Sequence, residues 1–166
     1  MQQLRSVCYL IDNDEILLSE IVYSSRTRVF AGVGGEVTTE KNIEHQTIKY
    51  LYQDIRVTVY PHDLKKVGVL HHISENEKGE RISESTLHIF TCEKWQGEIK
   101  DTPGIKPSWF TLETLPFSSM LEQEEQWLPL IMNGEKVLIE ILEKKNGETG
   151  KFDLANISVR EVLSSL

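Results

Sequence analysis

Residues 32–59 read GVGGEVTTEKNIEHQTIKYLYQDIRVTV, and this stretch decides the fold that the sequence predicts. It opens with three glycines after an apolar, strand-like run, and a polar turn follows. Apolar residues then recur at helical spacing, so we predict an amphipathic helix over residues 42–55, with Asn42 as its N-cap. A β-branched segment over residues 56–60 predicts a strand after the helix. The apolar face of the helix carries Ile48, Leu51 and Ile55.

A second face of the predicted helix is polar. Tyr50, Gln53 and Asp54 lie three and four positions apart, so they share one side of the helix. Only Asp54 is anionic at neutral pH, because a tyrosine phenol keeps its proton there and Gln53 carries no charge. The face therefore offers a single carboxylate.

The stretch resembles the Nudix box, the loop–helix–loop of hydrolases that cleave nucleoside diphosphates linked to another group. Set from Gly35, its spacing matches the family pattern without gaps, and Lys49 keeps the cationic position of that pattern. Other residues replace the glutamates and the last glycine of the pattern. Lys41 and Tyr50 stand where the family has single glutamates, Gln53 and Asp54 where it has a glutamate pair, and Arg56 where it has the glycine.

The resemblance implies a Mg²⁺ or Mn²⁺ ion held by carboxylates of the helix, because Mg²⁺ is a hard cation that takes oxygen ligands. The metal neutralises phosphate charge and activates the attacking water. Asp54 is the only anion left on that face, and its side chain is one methylene shorter than that of a glutamate. The sequence therefore predicts that hydrolase activity is lost or weak.

Nearby acids leave a rearranged metal site open as an alternative. Its metal ligands would be the Gly35 carbonyl, Glu36, Gln53 and Asp54. Its catalytic candidates would be Glu40, Lys49 and Asp54. In the other interpretation, the glutamates are solvated charges of a loop and a helix end.

The resemblance extends beyond the box. Within the Nudix superfamily, the chain is most similar to the oxidised-purine nucleoside triphosphatases of the MutT-like branch. The residues that carry this similarity follow the same order in both. They are residues 17–18, 32–37, 106–110, 115–117, 120, 127, 129–130 and 159–162.

The positions that recognise the purine base in that branch are occupied by other residue types in this chain. Ala31 stands for an asparagine, Leu121 for a stacking tryptophan and Glu124 for one of two neighbouring aspartates. Aromatic stacking is worth ~1–3 kcal/mol per base, so we do not expect purine specificity. We keep these three residues as candidate ligand contacts. We add His72, since adjacent strand residues His71 and His72 point to opposite faces and one should face the interior or a pocket.

The order of elements predicts an α+β fold in a single domain over residues 1–166, and the resemblance implies that it is the Nudix fold, with the box region at 32–59. A mixed sheet is flanked by the box helix and by a second helix over residues 120–132, whose Glu122, Glu124 and Glu125 read as a solvated face. Pro129 should bend that helix, and residues 133–134 should end it. The predicted strand pairs are 6–11 with 15–23, 65–74 with 85–93, and 137–143 with 151–154.

Composition limits the partners and the compartment. The 166 residues carry a net charge of −8, which argues against a long nucleic acid. No segment is long and apolar enough to span a bilayer, and Cys8 and Cys92 read as buried free thiols, so we expect a cytoplasmic protein with no membrane partner. A small nucleotide-like ligand remains compatible with this charge, and the sequence leaves the oligomeric state open.

Three hypotheses follow for function. In the first, diphosphatase chemistry is lost or weak and the cleft serves for binding. In the second, the chain is an active Mg²⁺-dependent hydrolase of a substrate that is not purine-specific. In the third, it is a homo-oligomeric structural protein whose cleft is collapsed around Tyr50 and Leu121.

Overall fold

The computed structural model describes residues 2–22 and 24–162 and contains a mixed sheet. In the described part, the strand order is β3-β2-β1-β6-β5-β8-β9, with β4 pairing β1 and β7 pairing β2. Strands β1 and β6 are parallel, as are β5 and β8, and the other pairs are antiparallel. The strands are β1 Gln2–Asp12, β2 Glu15–Val22, β3 Arg28–Ala31, β4 Val33–Glu36, β5 Leu64–Glu75, β6 Arg81–Cys92, β7 Ile105–Thr111, β8 Val137–Lys145 and β9 Phe152–Glu161.

Helices pack on both faces of the sheet, which confirms the predicted α+β class. Helix α1, Ile43–Ile55, buries Leu51 and Ile55 completely in the core on one face. Helix α2, Leu128–Met132, buries Leu128 in the core on the other face. Burying one such aliphatic side chain stabilises the fold by about 1.5–3 kcal/mol.

The predicted box helix is confirmed to within one residue at its start, and its N-cap residue is the predicted one. Asn42 occupies the N-cap position without a side-chain hydrogen bond to the helix. At the other end, Arg56 adopts a left-handed conformation with φ 66°, at the position where the Nudix pattern has glycine. Such a conformation costs a residue with a side chain roughly 1–2 kcal/mol. The predicted strand over 56–60 is wrong, since only Thr58 forms a bridge there, to Gln96.

The first hairpin is confirmed. Ile11 pairs with Ile16 and Asp12 with Glu15, and Asn13 takes the positive φ of 58° that a tight turn requires. The predicted end of β2 at Tyr23 lies outside the described residues. The second hairpin, β5–β6, is also confirmed, but its strands run further toward the tip than the sequence predicted.

The prediction of a long second helix over residues 120–132 is wrong. Residues 117–119 and 124–126 form separate 3₁₀ turns, and α2 itself has only five residues. Proline lacks an N–H but is tolerated in the first turn of a helix. Pro129 therefore lies at the start of α2 and does not bend a longer helix. The predicted end at Asn133 and Gly134 is confirmed, with Gly134 at φ 90°.

The last two strands form the predicted hairpin with a longer connection. Asn146 and Lys151 close the loop with a backbone hydrogen bond of 2.7 Å, and Gly150 supplies a positive φ of 72°. The C-terminal segment from Ile157, predicted as either extended or helical, continues β9 to Glu161. Residues 163–166 lie outside the described residues. No helix in the described part has the length and apolar character needed to cross a membrane.

Candidate functional site

A cleft of about 210 Å³ opens beside the glycine-rich strand β4. It lies on the face of the sheet that carries Val7 and Tyr9, opposite the box helix. Three of the predicted ligand contacts, Ala31, Leu121 and Glu124, line it together with Gly35. Other lining residues, which the sequence did not single out as ligand contacts, are Arg5, Tyr9, Val29 and Glu122.

Two glycines allow the strands beneath the cleft to approach closely. A Cβ on Gly34 would lie 1.9 Å from the backbone oxygen of Ser6, and a Cβ on Gly32 would lie 2.8 Å from the Tyr9 ring. Neither position accepts a side chain, so the glycines keep β4 paired to β1 and leave the cleft open above them.

Trp127 anchors the polar floor of the cleft. Its ring is fully buried, packs edge-on against Tyr9 at 6.5 Å between centroids, and donates from Nε1 to the Glu122 carbonyl at 2.9 Å. Arg5 Nη1 in turn donates to Glu122 Oε1 at 2.5 Å. These contacts fix a carboxylate and a guanidinium side by side at the cleft.

Glu124 is a buried acid, so the prediction that it lies on a solvated helix face is wrong. The residue is only 4% exposed, and its carboxylate accepts a hydrogen bond from the Glu122 backbone N–H. Burial raises the pKa of Glu124 to about 7, against the lowering effect of that hydrogen bond. The left-handed conformation of Gln123, φ 59°, turns the chain so that the side chain points inward. Near neutral pH this group can therefore either donate or accept a hydrogen bond.

The cleft is open and His72 lies outside it. Leu121 is 67% exposed at its rim, which contradicts the hypothesis of a cleft collapsed around this residue. His72 borders a separate groove, and its Nε2 lies 2.8 Å from Glu143 Oε1 on β8.

On the box side, Tyr50 fills the space between helix α1 and strand β4. A Cβ on Gly35 would lie 2.7 Å from Cζ of the Tyr50 ring, so the ring rests directly on this glycine. The Tyr50 hydroxyl donates to the Glu36 carbonyl at 2.7 Å. The phenol thereby connects the helix to the glycine-rich strand where the resemblance places a metal.

The predicted metal donors do not converge. Glu36 and Gln53 border an open pocket beside Tyr50 together with Lys49, but Asp54 does not. Glu36 Oε1 accepts from Gln3 Nε2 at 2.8 Å, and Glu40 Oε1 lies 3.8 Å from Nε2 of the buried His88.

Asp54 is partly shielded from solvent, and burial raises the pKa of its carboxyl. In residues 2–22 and 24–162, no three His, Cys, Asp or Glu side chains are grouped so that they could hold a metal ion. As these side chains are arranged, the Mg²⁺ or Mn²⁺ that the resemblance implies does not fit the donors present.

Comparisons with known proteins agree with the resemblance. No family model matches the chain. An oxidized purine nucleoside triphosphate hydrolase of Danio rerio is 32% identical over 110 residues, which are 64% of this chain and 65% of that protein. The Mus musculus protein of the same name is 29% identical over 105 residues, 63% of this chain and 64% of that protein. The match thus spans just under two thirds of the length of these relatives.

Solved structures share the fold. The MutT protein of Bacillus halodurans superposes with a TM-score of 0.71 over 95% of this chain and 97% of its own, at 18% identity. A MutT NUDIX hydrolase of Burkholderia pseudomallei gives a TM-score of 0.56 over 70% of this chain and 88% of its own, at 16% identity. With the glycine-rich strand and box helix in place, these matches show that the chain is similar in sequence to oxidized purine nucleoside triphosphate hydrolases and shares the fold of MutT proteins.

Proposed function

We propose that this protein binds a small nucleotide-like ligand in the cleft beside β4 and that its diphosphatase chemistry is absent or very weak. One observation carries the proposal. The Tyr50 ring rests on Gly35 and its hydroxyl donates to the Glu36 carbonyl at 2.7 Å. A neutral phenol thereby occupies the space in which family members would need carboxylates around a cation.

Charge on the helix supports the loss of chemistry. Magnesium demands near-octahedral oxygen ligands and gives up its waters reluctantly, so it needs anionic donors that converge. Asp54 alone supplies a carboxylate on that face, burial favours its protonated form, and Asp54 does not border the pocket of Glu36 and Gln53. Lys41 and Lys49 add positive charge along the same segment.

The cleft supports the binding part of the proposal. Its walls include apolar Val29, Ala31 and Leu121, and its floor presents Glu124 and the Arg5–Glu122 pair. This combination suits a flat ligand whose edge carries hydrogen-bond donors and acceptors. Leu121 offers apolar contact but no aromatic stacking, so we expect weaker and less purine-specific binding than in a site with a tryptophan there.

An active hydrolase is the second candidate. The observation in its favour is that Glu36, Lys49 and Gln53 border one open pocket. This candidate requires Tyr50 to leave Gly35 and Asp54 to turn toward that pocket, and Mg²⁺ or Mn²⁺ would then be its cofactor. The two candidates predict different results in a turnover assay.

The test is a turnover panel with Mg²⁺ and Mn²⁺ over nucleoside triphosphates, nucleotide sugars and dinucleoside polyphosphates. We expect product formation no faster than in protein-free controls. Robust turnover that disappears in Asp54→Ala, but persists in Asp12→Ala as a matched exposed acid, would establish the active hydrolase instead.

Ligand binding is tested separately by thermal shift with the same compounds. A ligand that binds only the folded state raises its stability by mass action. We expect a shift with at least one nucleotide, and its loss in Ala31→Trp, whose indole fills the cleft. Ser25→Trp adds the same side chain at an exposed bend and should keep the shift. Equal shifts in both variants would place the ligand elsewhere.

A further inference from the structure

Strand β9 forms an edge of the sheet that is suited to pairing with another strand. In the described part of the chain, β9 pairs only with β8 and ends the strand order. Natural proteins protect such edges with lysines and other charged side chains, prolines, bulges or short strands. The ten residues of β9, FDLANISVRE, contain neither lysine nor proline.

Apolar side chains are exposed on this edge strand. Phe152 is 43% exposed and Leu154 is 45% exposed. Leu154, Ile157 and Val159 lie opposite Glu143, Ile141 and Ile139 of β8, which alternate in steps of two. The three β9 residues therefore share one face of the sheet.

A bulge at Ala155 determines which side chains of β9 lie on each face of the sheet. Asn156 pairs with Leu142 and Leu154 with Glu143, so Ala155 is the extra residue. Asp153 and Arg160 pair with Lys144 and Leu138, and both therefore lie on the face opposite to Leu154. Neither Asp153 nor Arg160 belongs to an ion pair within the described residues.

If β9 pairs antiparallel with β9 of a second copy, one register places apolar side chains opposite apolar ones and opposite charges across from each other. If Ile157 lies opposite Ile157 of a second copy, Asn156 faces Ser158 of that copy, and the two bulges at Ala155 fall in equivalent places. Beyond the bulge, Leu154 then faces Val159 of the second copy and Asp153 faces its Arg160. Each of these contacts except the central Ile157–Ile157 pair occurs twice, because a two-fold axis relates the strands.

We propose that β9 pairs antiparallel with β9 of a second copy of this chain, centred on Ile157, so that the two sheets form one continuous sheet. In this dimer, two Asp153–Arg160 pairs lie on one face of the sheet and two Leu154–Val159 pairs lie on the other. Opposite charges and matched apolar side chains directly across an antiparallel pair stabilise it, and like charges destabilise it. The cleft beside β4 lies several strands away, so the pairing is independent of the proposed function.

Sedimentation velocity over a range of protein concentrations tests the dimer. We expect the wild type to dimerise and Asp153→Arg or Arg160→Asp alone to weaken dimerisation about tenfold, because each places two like-charge pairs across the strands. The double variant restores both opposite-charge pairs and should dimerise like the wild type. Arg26→Asp makes the same charge change in an exposed loop and should have no effect.

A wild type that stays monomeric at every concentration overturns the proposal. So does a dimer that is indifferent to the single variants, or one that the double variant fails to restore. Hydrogen exchange of the wild-type β9 amides needs no substitution and should slow as the concentration rises. Exchange that is independent of concentration would contradict the pairing even if a variant fails to fold.

Discussion

The two sides of strand β4 differ, because one borders an open cleft and the other is covered by the Tyr50 ring. On the cleft side, Trp127, Glu122 and Arg5 form a continuous chain of contacts around an open cavity. On the box side, Tyr50 closes the space above Gly35 and the remaining acids point to separate partners. The same fold therefore presents an open cleft with fixed polar groups on one side and, on the other, acids that do not converge.

The two sides illustrate that ligand binding and metal-dependent catalysis make different demands on the side chains. A binding cleft needs apolar walls and a few fixed polar groups, and each can be supplied by residues of several types. A magnesium site needs several oxygen donors at short distances. The box helix of this protein matches the spacing of the Nudix pattern that it resembles, and Asp54 is the only carboxylate on the face that carries Tyr50 and Gln53.

The largest effect should come from breaking the anchor of the cleft. Trp127→Ala removes a fully buried indole and the donor to the Glu122 carbonyl, and truncations of this kind cost about 3–5 kcal/mol. We expect a loss of that size in the free energy of unfolding, measured with urea. Trp95 is only partly buried on the box side, against Trp109. Trp95→Ala should therefore cost less, and an equal or larger loss would contradict the difference between the two sides.

The second effect tests the buried acid of the cleft. Folded Glu124 keeps its proton up to about pH 7, whereas the unfolded chain releases it near pH 4.5. The folded state thus binds more protons between these values, so the contribution of Glu124 to stability is complete below pH 4.5 and falls as the pH rises to 7. The fall amounts to at most about 3 kcal/mol.

Glu124→Gln should remove this fall, because the amide does not titrate. Urea unfolding across the pH series should give the variant a stability equal to that of the wild type in acid and greater above pH 7. Glu125→Gln changes the exposed neighbour and should follow the wild type. Parallel curves for the wild type and Glu124→Gln would show that the carboxyl is not buried as described.

The smallest effect concerns Tyr50, which covers Gly35 on the box side. Tyr50→Phe removes the hydroxyl that donates to the Glu36 carbonyl but keeps the ring on Gly35. We expect a loss of about 0.5–1 kcal/mol in the free energy of unfolding. We also expect no gain of divalent-metal binding by calorimetry, because the ring still fills the space. Metal binding by this variant would show that the hydroxyl, and not the ring, keeps the site closed.

Local patterns predicted much of the fold. The spacing of Leu51 and Ile55 located helix α1, and the alternation of apolar residues located the strands of both main hairpins. The prediction of a long second helix was wrong, because the helix that buries Leu128 and Ile131 has only five residues. The residues before them are held in separate turns by local hydrogen bonds from Glu122 to the Glu124 carboxyl and from the Trp127 indole to Glu122, and by the burial of both side chains.

The site was less predictable, because it is assembled across the sheet. Ala31, Leu121 and Glu124 were found through family spacing, and the structure brings them together. Arg5 and Glu122 lie 117 positions apart, and no local signal in the sequence links them. Likewise, no sequence pattern showed that Tyr50 would rest on Gly35, since that contact depends on how α1 packs against β4.

We propose that the Tyr50 ring closes the space between the box helix and Gly35 to a divalent ion. A crystal soaked with Mn²⁺, with diffraction recorded at a wavelength where manganese scatters anomalously, would show whether an ion binds there. We predict no anomalous peak between Gly35 and Asp54, and a Tyr50 hydroxyl still bonded to the Glu36 carbonyl. A manganese ion bound there by carboxylate oxygens, with Tyr50 displaced, would show that this space does bind a divalent ion.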